Sequence, residues 1–273
     1  MGIKVKILDI KLYNTRVDIK GGNVMSLEKI NMVEELYISN LKKIMNEGYT
    51  DELGEVRPHY ADGTPAYTRF ITQVFEKYDI SKGEFPISQL RPLSWRSAIK
   101  EVLWIYQDQS NDLDVLKNKY NIHWWDEWEV DGTGTIGQRY GATVKKYDLM
   151  NNLLKSLKEQ PYGRRHIINM WQEEDFKESK GLNPCAFMTI WSVRGNRNPD
   201  GSITNYLDLT LIQRSNDYCT AGHINKVQYV ALMMMVARHC GFELGVFAHL
   251  IQNLHVYDRH LEQADEIIRR YEL

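Results

Sequence analysis

Ala186-Phe187-Met188-Thr189-Ile190-Trp191-Ser192-Val193 and Tyr206-Leu207-Asp208-Leu209-Thr210-Leu211-Ile212-Gln213-Arg214 flank a segment that contains Asn198-Pro199-Asp200-Gly201. The two runs read as strands, and Asn-Pro-Asp-Gly between them is a strong turn signal. The pattern predicts an antiparallel hairpin. Cys185 begins its first strand and Arg214 ends its second, so pairing brings a thiol and a guanidinium near each other. A thiolate attacks where a thiol does not, and a nearby Arg favours the anion. Arg also offers a planar fork of donors that matches phosphate. Gln213-Arg214-Ser215-Asn216-Asp217, with Asn225, His255 and Tyr257 further on, adds amides, hydroxyls, an acid and an imidazole suited to a planar polar ligand. On spacing alone, Cys185 reads better as a small buried hydrophobe.

Helical periodicity surrounds the hairpin. After Gly21-Gly22-Asn23, Ser26 reads as an N-cap. Ile30, Val33, Tyr37, Leu41 and Ile44 then recur at helical spacing up to Gly48. Ser94 reads as the cap of a second helix with a stripe of Trp95, Ala98, Ile99, Val102, Leu103 and Tyr106. Glu101 lies inside that apolar helix, where a buried carboxylate needs partners or a raised pKa; an exposed position fits equally. Val227, Val230, Ala231, Met234 and Met235 form a stripe ending at Gly241, with the methionines read as core filler. Phe247 to Asn253 reads as a buried strand that delivers His255 and Tyr257, and Ile3 to Tyr13 as an edge strand. Helices and strands without regular βαβ alternation indicate an α+β fold with a large mixed, mostly antiparallel sheet flanked by helices. Residues 1–25 read as an N-terminal extension and 26–273 as one domain.

The chain has 273 residues, 43% hydrophobic and 26% charged, as in an ordinary globular protein. With 34 basic against 36 acidic residues, the net charge of −2 argues against wholesale nucleic-acid or membrane binding. Three cysteines without a CxxC pair make a disulfide framework or a zinc site improbable. No run approaches membrane-spanning length, and the N-terminus has no signal-peptide core. A cytoplasmic protein without a metal is expected.

Several separated blocks carry a further signal: Lys100-Glu101-Val102-Leu103-Trp104, Trp124-Trp125-Asp126-Glu127-Trp128, Gly137-Gln138-Arg139-Tyr140-Gly141, Arg164-Arg165-His166-Ile167-Ile168 and Leu182-Asn183-Pro184-Cys185. Ile212 to Asp217, Gly222-His223-Ile224-Asn225, and Leu254-His255-Val256-Tyr257-Asp258-Arg259-His260 follow. In this order, from about Leu41 to the last residue, the chain resembles the thymidylate synthases, a superfamily that also holds pyrimidine-nucleotide hydroxymethylases. The resemblance implies a large sheet packed back to back against its copy in a homodimer. It implies dUMP as substrate and methylenetetrahydrofolate as co-substrate.

Carried over block by block, the resemblance makes Cys185 the nucleophile that adds to C6 of the uracil ring. Arg214 then binds phosphate and keeps the sulfur anionic, joined on the phosphate by Ser215, by Arg57 and by Arg164 and Arg165 from the neighbouring subunit. Taken without the resemblance, Arg164-Arg165 is a solvated basic loop. Asn225 reads the base, donating to a carbonyl and accepting from the ring N–H; a helix cap is the other reading of that residue. His255 and Tyr257, spaced by two on an extended segment, hold the sugar hydroxyl. Tyr140 helps remove the C5 proton through water, and Glu101 organises that water and assists proton transfer. Asp217 binds the pterin, Trp125 and Trp128 stack on the folate's aromatic portion, and Arg91 lies near its glutamate tail. At least one of Trp124, Trp125 and Trp128 is expected in the core.

The chain departs from the family pattern at Asn253, where an Asp is common, and at Gly222-His223-Ile224. It stops at Tyr271-Glu272-Leu273, so the family's closing C-terminal tail is expected to be missing. Reductive methylation of dUMP to dTMP, yielding dihydrofolate, is the favoured activity. A deoxyuridylate hydroxymethylase, in which water rather than hydride ends the reaction, is the first alternative. An inactive nucleotide- or RNA-binding relative is the second.

Overall fold

The computed structural model describes residues 25–178 and 180–273. The strand expected over Ile3 to Tyr13 and the break at Gly21-Gly22-Asn23 lie outside them. The first helix, α1, spans Met25–Glu47, with Ser26 within that range. Val33, Tyr37, Leu41 and Ile44 are buried along one stripe. The helix stops where a Cβ on Gly48 would stand 2.3 Å from the carbonyl oxygen of Ile44, so glycine alone lets the chain leave there.

Strands β1 (Tyr49–Thr50) and β2 (Thr68–Asp79) come next. Helix α2 (Trp95–Val102) runs on as a π-helical turn, Leu103–Gln107, whose Leu103, Trp104, Ile105 and Tyr106 are buried. Ser94 occupies the cap position of α2 without a side-chain hydrogen bond to the helix. Helix α3 (Leu113–Tyr120) is capped by the Asp112 carboxylate, which accepts from the N–H groups of Asp114 and Val115. Helices α4 (Gly141–Lys146) and α5 (Leu149–Glu159), strand β3 (His166–Asn169) and helix α6 (Glu173–Glu178) lead to the hairpin.

The hairpin pairs β4 (Ala186–Arg197) with β5 (Ile203–Gln213), as the sequence predicts. Gly201 takes a φ of 86° in its turn, a left-handed conformation suited to glycine. Ala186 pairs with Gln213 and Met188 with Ile212, so Phe187 is the extra residue of a bulge beside Cys185. A short strand β6 (Asn216–Asp217), helix α7 (Gly222–Cys240), strand β7 (Glu243–Tyr257) and helix α8 (Leu261–Tyr271) complete the chain.

The sheet runs β1-β2-β7-β5-β4-β3, with β6 beside β7. It is mixed: β5 and β6 lie parallel to β7 and the remaining pairs are antiparallel. Parallel neighbours need a crossover, and α7 supplies it. One face of β5 carries Leu207, Leu209, Leu211 and Gln213, all buried. Full burial of each leucine contributes about 1.5–3 kcal/mol. These leucines share a core with Trp104, Val230, Met233 and Phe247, while a second core joins α1 and α8 to Ile251, Leu254 and Val256. The N-terminal turn of α7 and the ends of β5 and β7 thus converge at one edge of the layered structure.

Candidate active site

Cys185 sits one residue before β4, and Arg214 one residue after β5. The hairpin register closes them into a loop: Arg214 N–H donates to Cys185 O at 3.0 Å. The guanidinium is then held by carbonyls, Nε donating to Pro184 O at 3.0 Å and Nη2 to Asn183 O at 2.8 Å. From that seat Nη2 reaches Cys185 Sγ at 3.4 Å. Burial pushes the thiol pKa up, while Arg214 and Arg57 pull it down; burial dominates. The guanidinium thus offsets part of the desolvation.

Tyr140 stands on the other side of the nucleophile. Its hydroxyl accepts the Cys185 N–H at 3.1 Å. Its backbone, at φ 46° and ψ −108°, lies in a sparsely populated region. Burial raises the phenol pKa well above its usual value, with the Cys185 sulfur adding to the effect.

Glu101 is buried, which decides between its two readings. Its carboxyl faces a small cavity shared with Trp125, Tyr140, Cys185, Asn225 and Gln228. Desolvation raises its pKa to about 7, against hydrogen bonding from Trp125, Trp124 and Gln228. Trp124 Nε1 donates to Oε2 at 2.7 Å. A buried carboxyl that titrates near neutrality can both give and take a proton.

As expected, at least one of the three tryptophans lies in the core. Trp125 is 8% exposed, packs edge-on against Tyr140 and lines the cavity. Trp128 is partly buried against the main core. Trp124 is 39% exposed yet holds Glu101; sequence reading assigned it no role, and its only signal is adjacency to Trp125.

Asn225 is not a helix cap, because α7 begins at Gly222 after Ala221. Its Oδ1 accepts from Gln213 Nε2 at 3.1 Å and Asn216 Nδ2 at 3.4 Å, and its Nδ2 donates to Gln228 Oε1 at 3.0 Å. Gln228 lies one helical turn along, a spacing that could have identified it. His255 and Tyr257 share one face at the end of β7, their rings 5.1 Å apart and edge-on. Asn253 Oδ1 lies 2.9 Å from His255 Nδ1. Burial holds His255 below the usual histidine pKa despite Asp217 and Asp51.

Asp217 pairs across the sheet with His255, and its carboxylate accepts from the Thr220 N–H at 3.2 Å and from the Thr220 hydroxyl. Ser215 is half-buried beside Arg214, and its carbonyl accepts from Gln213 Nε2 at 2.9 Å. Arg57, exposed on the loop between β1 and β2, is close enough to act electrostatically on Cys185 and Tyr257. Arg91 acts likewise on Cys219 and His223. Arg164 and Arg165 are exposed just before β3, at the opposite edge of the sheet from β1, and among the described residues neither forms an ion pair.

Among the described residues no cluster of three or more His, Cys, Asp or Glu could hold a metal. No described helix is long and apolar enough to cross a membrane.

Comparison with known proteins puts this chain in one class, the transferases. Residues 35–273 match the family model for thymidylate synthase. The chain is 54% identical over 237 residues to the thymidylate synthase of Streptococcus pneumoniae (strain 70585), covering 87% of this chain and 82% of that one. It is 53% identical over 241 residues to that of Streptococcus sanguinis (strain SK36), covering 88% and 84%. Among solved structures, thermostable thymidylate synthase A from Bacillus subtilis superposes with a TM-score of 0.77 at 34% identity, covering 86% of this chain and 83% of the other. The chain belongs to the thymidylate synthase family.

Proposed function

We propose that Cys185 is the nucleophile with which this enzyme converts dUMP to dTMP, within a single catalytic domain of residues 26–273. The observation that carries the reading is the 3.4 Å contact between Arg214 Nη2 and Cys185 Sγ, facing a cavity with a carboxyl that titrates near neutrality. A phosphate brought to Arg214, Arg57 and Ser215 anchors the nucleotide with its ring over the sulfur. Asn225 meets the base edge, and His255 and Tyr257 meet the sugar. Sulfur adds to C6 of the uracil, and C5 becomes nucleophilic. Tyr140 and Glu101 hold the water that carries the C5 proton away.

Methylenetetrahydrofolate supplies the one-carbon unit and the hydride, and leaves as dihydrofolate. The residues present suit it: Trp125 offers an aromatic surface at the cavity, edge-on to Tyr140. Asp217 is assigned to the pterin, Trp128 to the folate's aromatic portion and Arg91 to its glutamate tail. The reaction runs in the cytoplasm and needs no metal.

The active unit is a homodimer. On the sheet face away from α7, Phe75, Leu250, Ile212 and Met188 follow one another across four strands. Phe75 is 58% exposed and Leu250 37%, an apolar row suited to a second sheet. Pairing there allows Arg164 and Arg165 to serve the partner's phosphate.

The test is covalent trapping. 5-Fluoro-dUMP with methylenetetrahydrofolate should give a complex that survives denaturation, because fluorine cannot leave C5. Cys185→Ala should abolish both the complex and turnover, while Cys219→Ala and Cys240→Ala keep both. A complex on Cys185→Ala would overturn the assignment, and the mass of the normal product separates methyl from hydroxymethyl.

A further inference from the structure

Behind the cavity lies a buried polar network that the reaction above does not use. Lys226 and Glu76, both without exposure, form an ion pair at 2.6 Å. Glu76 also accepts from Tyr218 Oη at 2.6 Å, Asn40 Nδ2 at 2.9 Å and Tyr78 Oη at 3.1 Å. His249, fully buried, is the cross-strand partner of Glu76 on β7 and lies next to Leu211 of β5. Its Nε2 meets Gln213 Oε1 at 2.9 Å.

Hydrogen-bond chemistry fixes the direction of this chain of contacts. The Ser215 carbonyl can only accept, so the end of Gln213 that faces it is the nitrogen. The other end is then the oxygen, and His249 Nε2 must carry the hydrogen it donates. Burial pulls the His249 pKa down to about 3, with Glu76 opposing, so the ring is a neutral single-tautomer donor at working pH. Gln213 Nε2, thus oriented, donates to Asn225 Oδ1. Asn225 is left with Nδ2 toward Gln228 and its second N–H for a ligand.

An amide is nearly symmetric in shape, and flipping it exchanges donor for acceptor. A freely flipping Asn225 would suit the carbonyl and N–H edge of uracil and the amino and bare-nitrogen edge of cytosine alike. One locked orientation presents a donor where uracil has its C4 carbonyl and cytosine has its amino group. Lys226, the next residue of α7, is itself tied to Glu76 by the buried ion pair.

We infer that His249 and Gln213 are positioning residues that lock the Asn225 amide and so give the site its preference for uracil over cytosine. The inference rests on the reading of Asn225 as the group that meets the base.

Dissociation constants for dUMP and dCMP, measured by titration calorimetry on folded protein, test it. His249→Phe removes the donor while filling the space, and should narrow the dCMP-to-dUMP ratio about tenfold, chiefly by weakening dUMP. His249→Gln, whose amide N–H can donate to Gln213, should restore the ratio to within about twofold of wild type. A merely structural role would lower stability and leave the ratio alone. If His249→Phe does not fold, Gln213→Met replaces it as the test. A wild-type ratio in a folded His249→Phe or Gln213→Met protein overturns the inference. Asn225→Asp is measured alongside: if it too keeps the ratio, the reading of Asn225 itself fails. If Asn225→Asp changes the ratio and His249→Phe does not, only the lock is wrong.

Discussion

The main-chain N–H of Cys185 donates to the hydroxyl oxygen of Tyr140 at 3.1 Å, so the residue proposed to help remove the C5 proton also fixes the backbone of the nucleophile. Two tasks on one hydroxyl make its removal informative. Tyr140→Phe leaves a buried N–H without its acceptor, which should cost about 1–3 kcal/mol of stability by denaturant titration. Turnover should fall by about 10²–10⁴ if the hydroxyl also serves proton transfer. Single-turnover trapping of 5-fluoro-dUMP, which needs no C5 proton removal, should fall much less. Equal losses in both assays would leave Tyr140 with the positioning task alone.

Glu101 links function to pH with a definite sign. Its carboxyl pKa rises from 4.5 to about 7 on folding because burial disfavours the charge. The folded state then binds more protons than the unfolded chain between those values, so this group's contribution to stability declines as pH rises through that window. The decline amounts to about 3 kcal/mol. Glu101→Gln keeps an acceptor for Trp124 but has no charge to bury. Its stability should therefore lack this slope and exceed the wild type above pH 7, while turnover drops by about 10²–10⁴. Thermal unfolding of both proteins across pH 4 to 8 reads the difference, and parallel curves would mean that Glu101 titrates normally.

The Glu76–Lys226 pair works in the opposite direction. Burial pushes the Glu76 carboxyl up, but Lys226 and the surrounding donors outweigh it, and the pKa falls from 4.5 to about 2. Its stabilising contribution is complete above 4.5 and lost as pH falls toward 2. Removing one partner leaves an uncompensated buried charge, so Lys226→Met should cost about 3–5 kcal/mol. Glu76→Gln with Lys226→Met should recover much of that loss. Urea unfolding of the single and double variants at neutral pH decides the matter.

Arg164 and Arg165 give the dimer its own test. Arg164→Ala is inactive through the arginine it donates, Cys185→Ala through its missing nucleophile. A mixed dimer holds one site with both defects and one with neither. Activity should reappear on mixing and approach a quarter of wild type at equal input, half the dimers being mixed with one sound site each. No recovery, once subunit exchange is verified by mass, would mean that the arginines serve their own subunit.

Much of the site was legible in the sequence because its geometry follows from local rules. A turn signal and two β-rich runs put Cys185 beside Arg214, and a spacing of two put His255 and Tyr257 on one face. Strands β2 and β3 and helices α3, α5 and α8 were not read, although α5 and α8 are amphipathic. Neither was the parallel pairing of β5 with β7, which depends on where α7 returns the chain. The buried ion pair was equally hidden. Glu76 and Lys226 are far apart in sequence, and charged residues read as surface until tertiary packing shows otherwise. Asn225 could pass for a cap because the helix start lay a few residues earlier than its pattern suggested.

The β4–β5 hairpin also acts as a ruler. Its reactive pair lies at the open end, while Asn198 to Ser202 at the closed end are mostly exposed and bonded among themselves. Eleven ladder pairs separate the two ends. Added residues at the closed end leave that count unchanged, whereas one residue lost from either strand slides every pair and turns side chains to the other face. Chain length is therefore free to drift at the turn and fixed along the strands, which makes the turn the natural place to graft a tag or a reporter without disturbing the thiol.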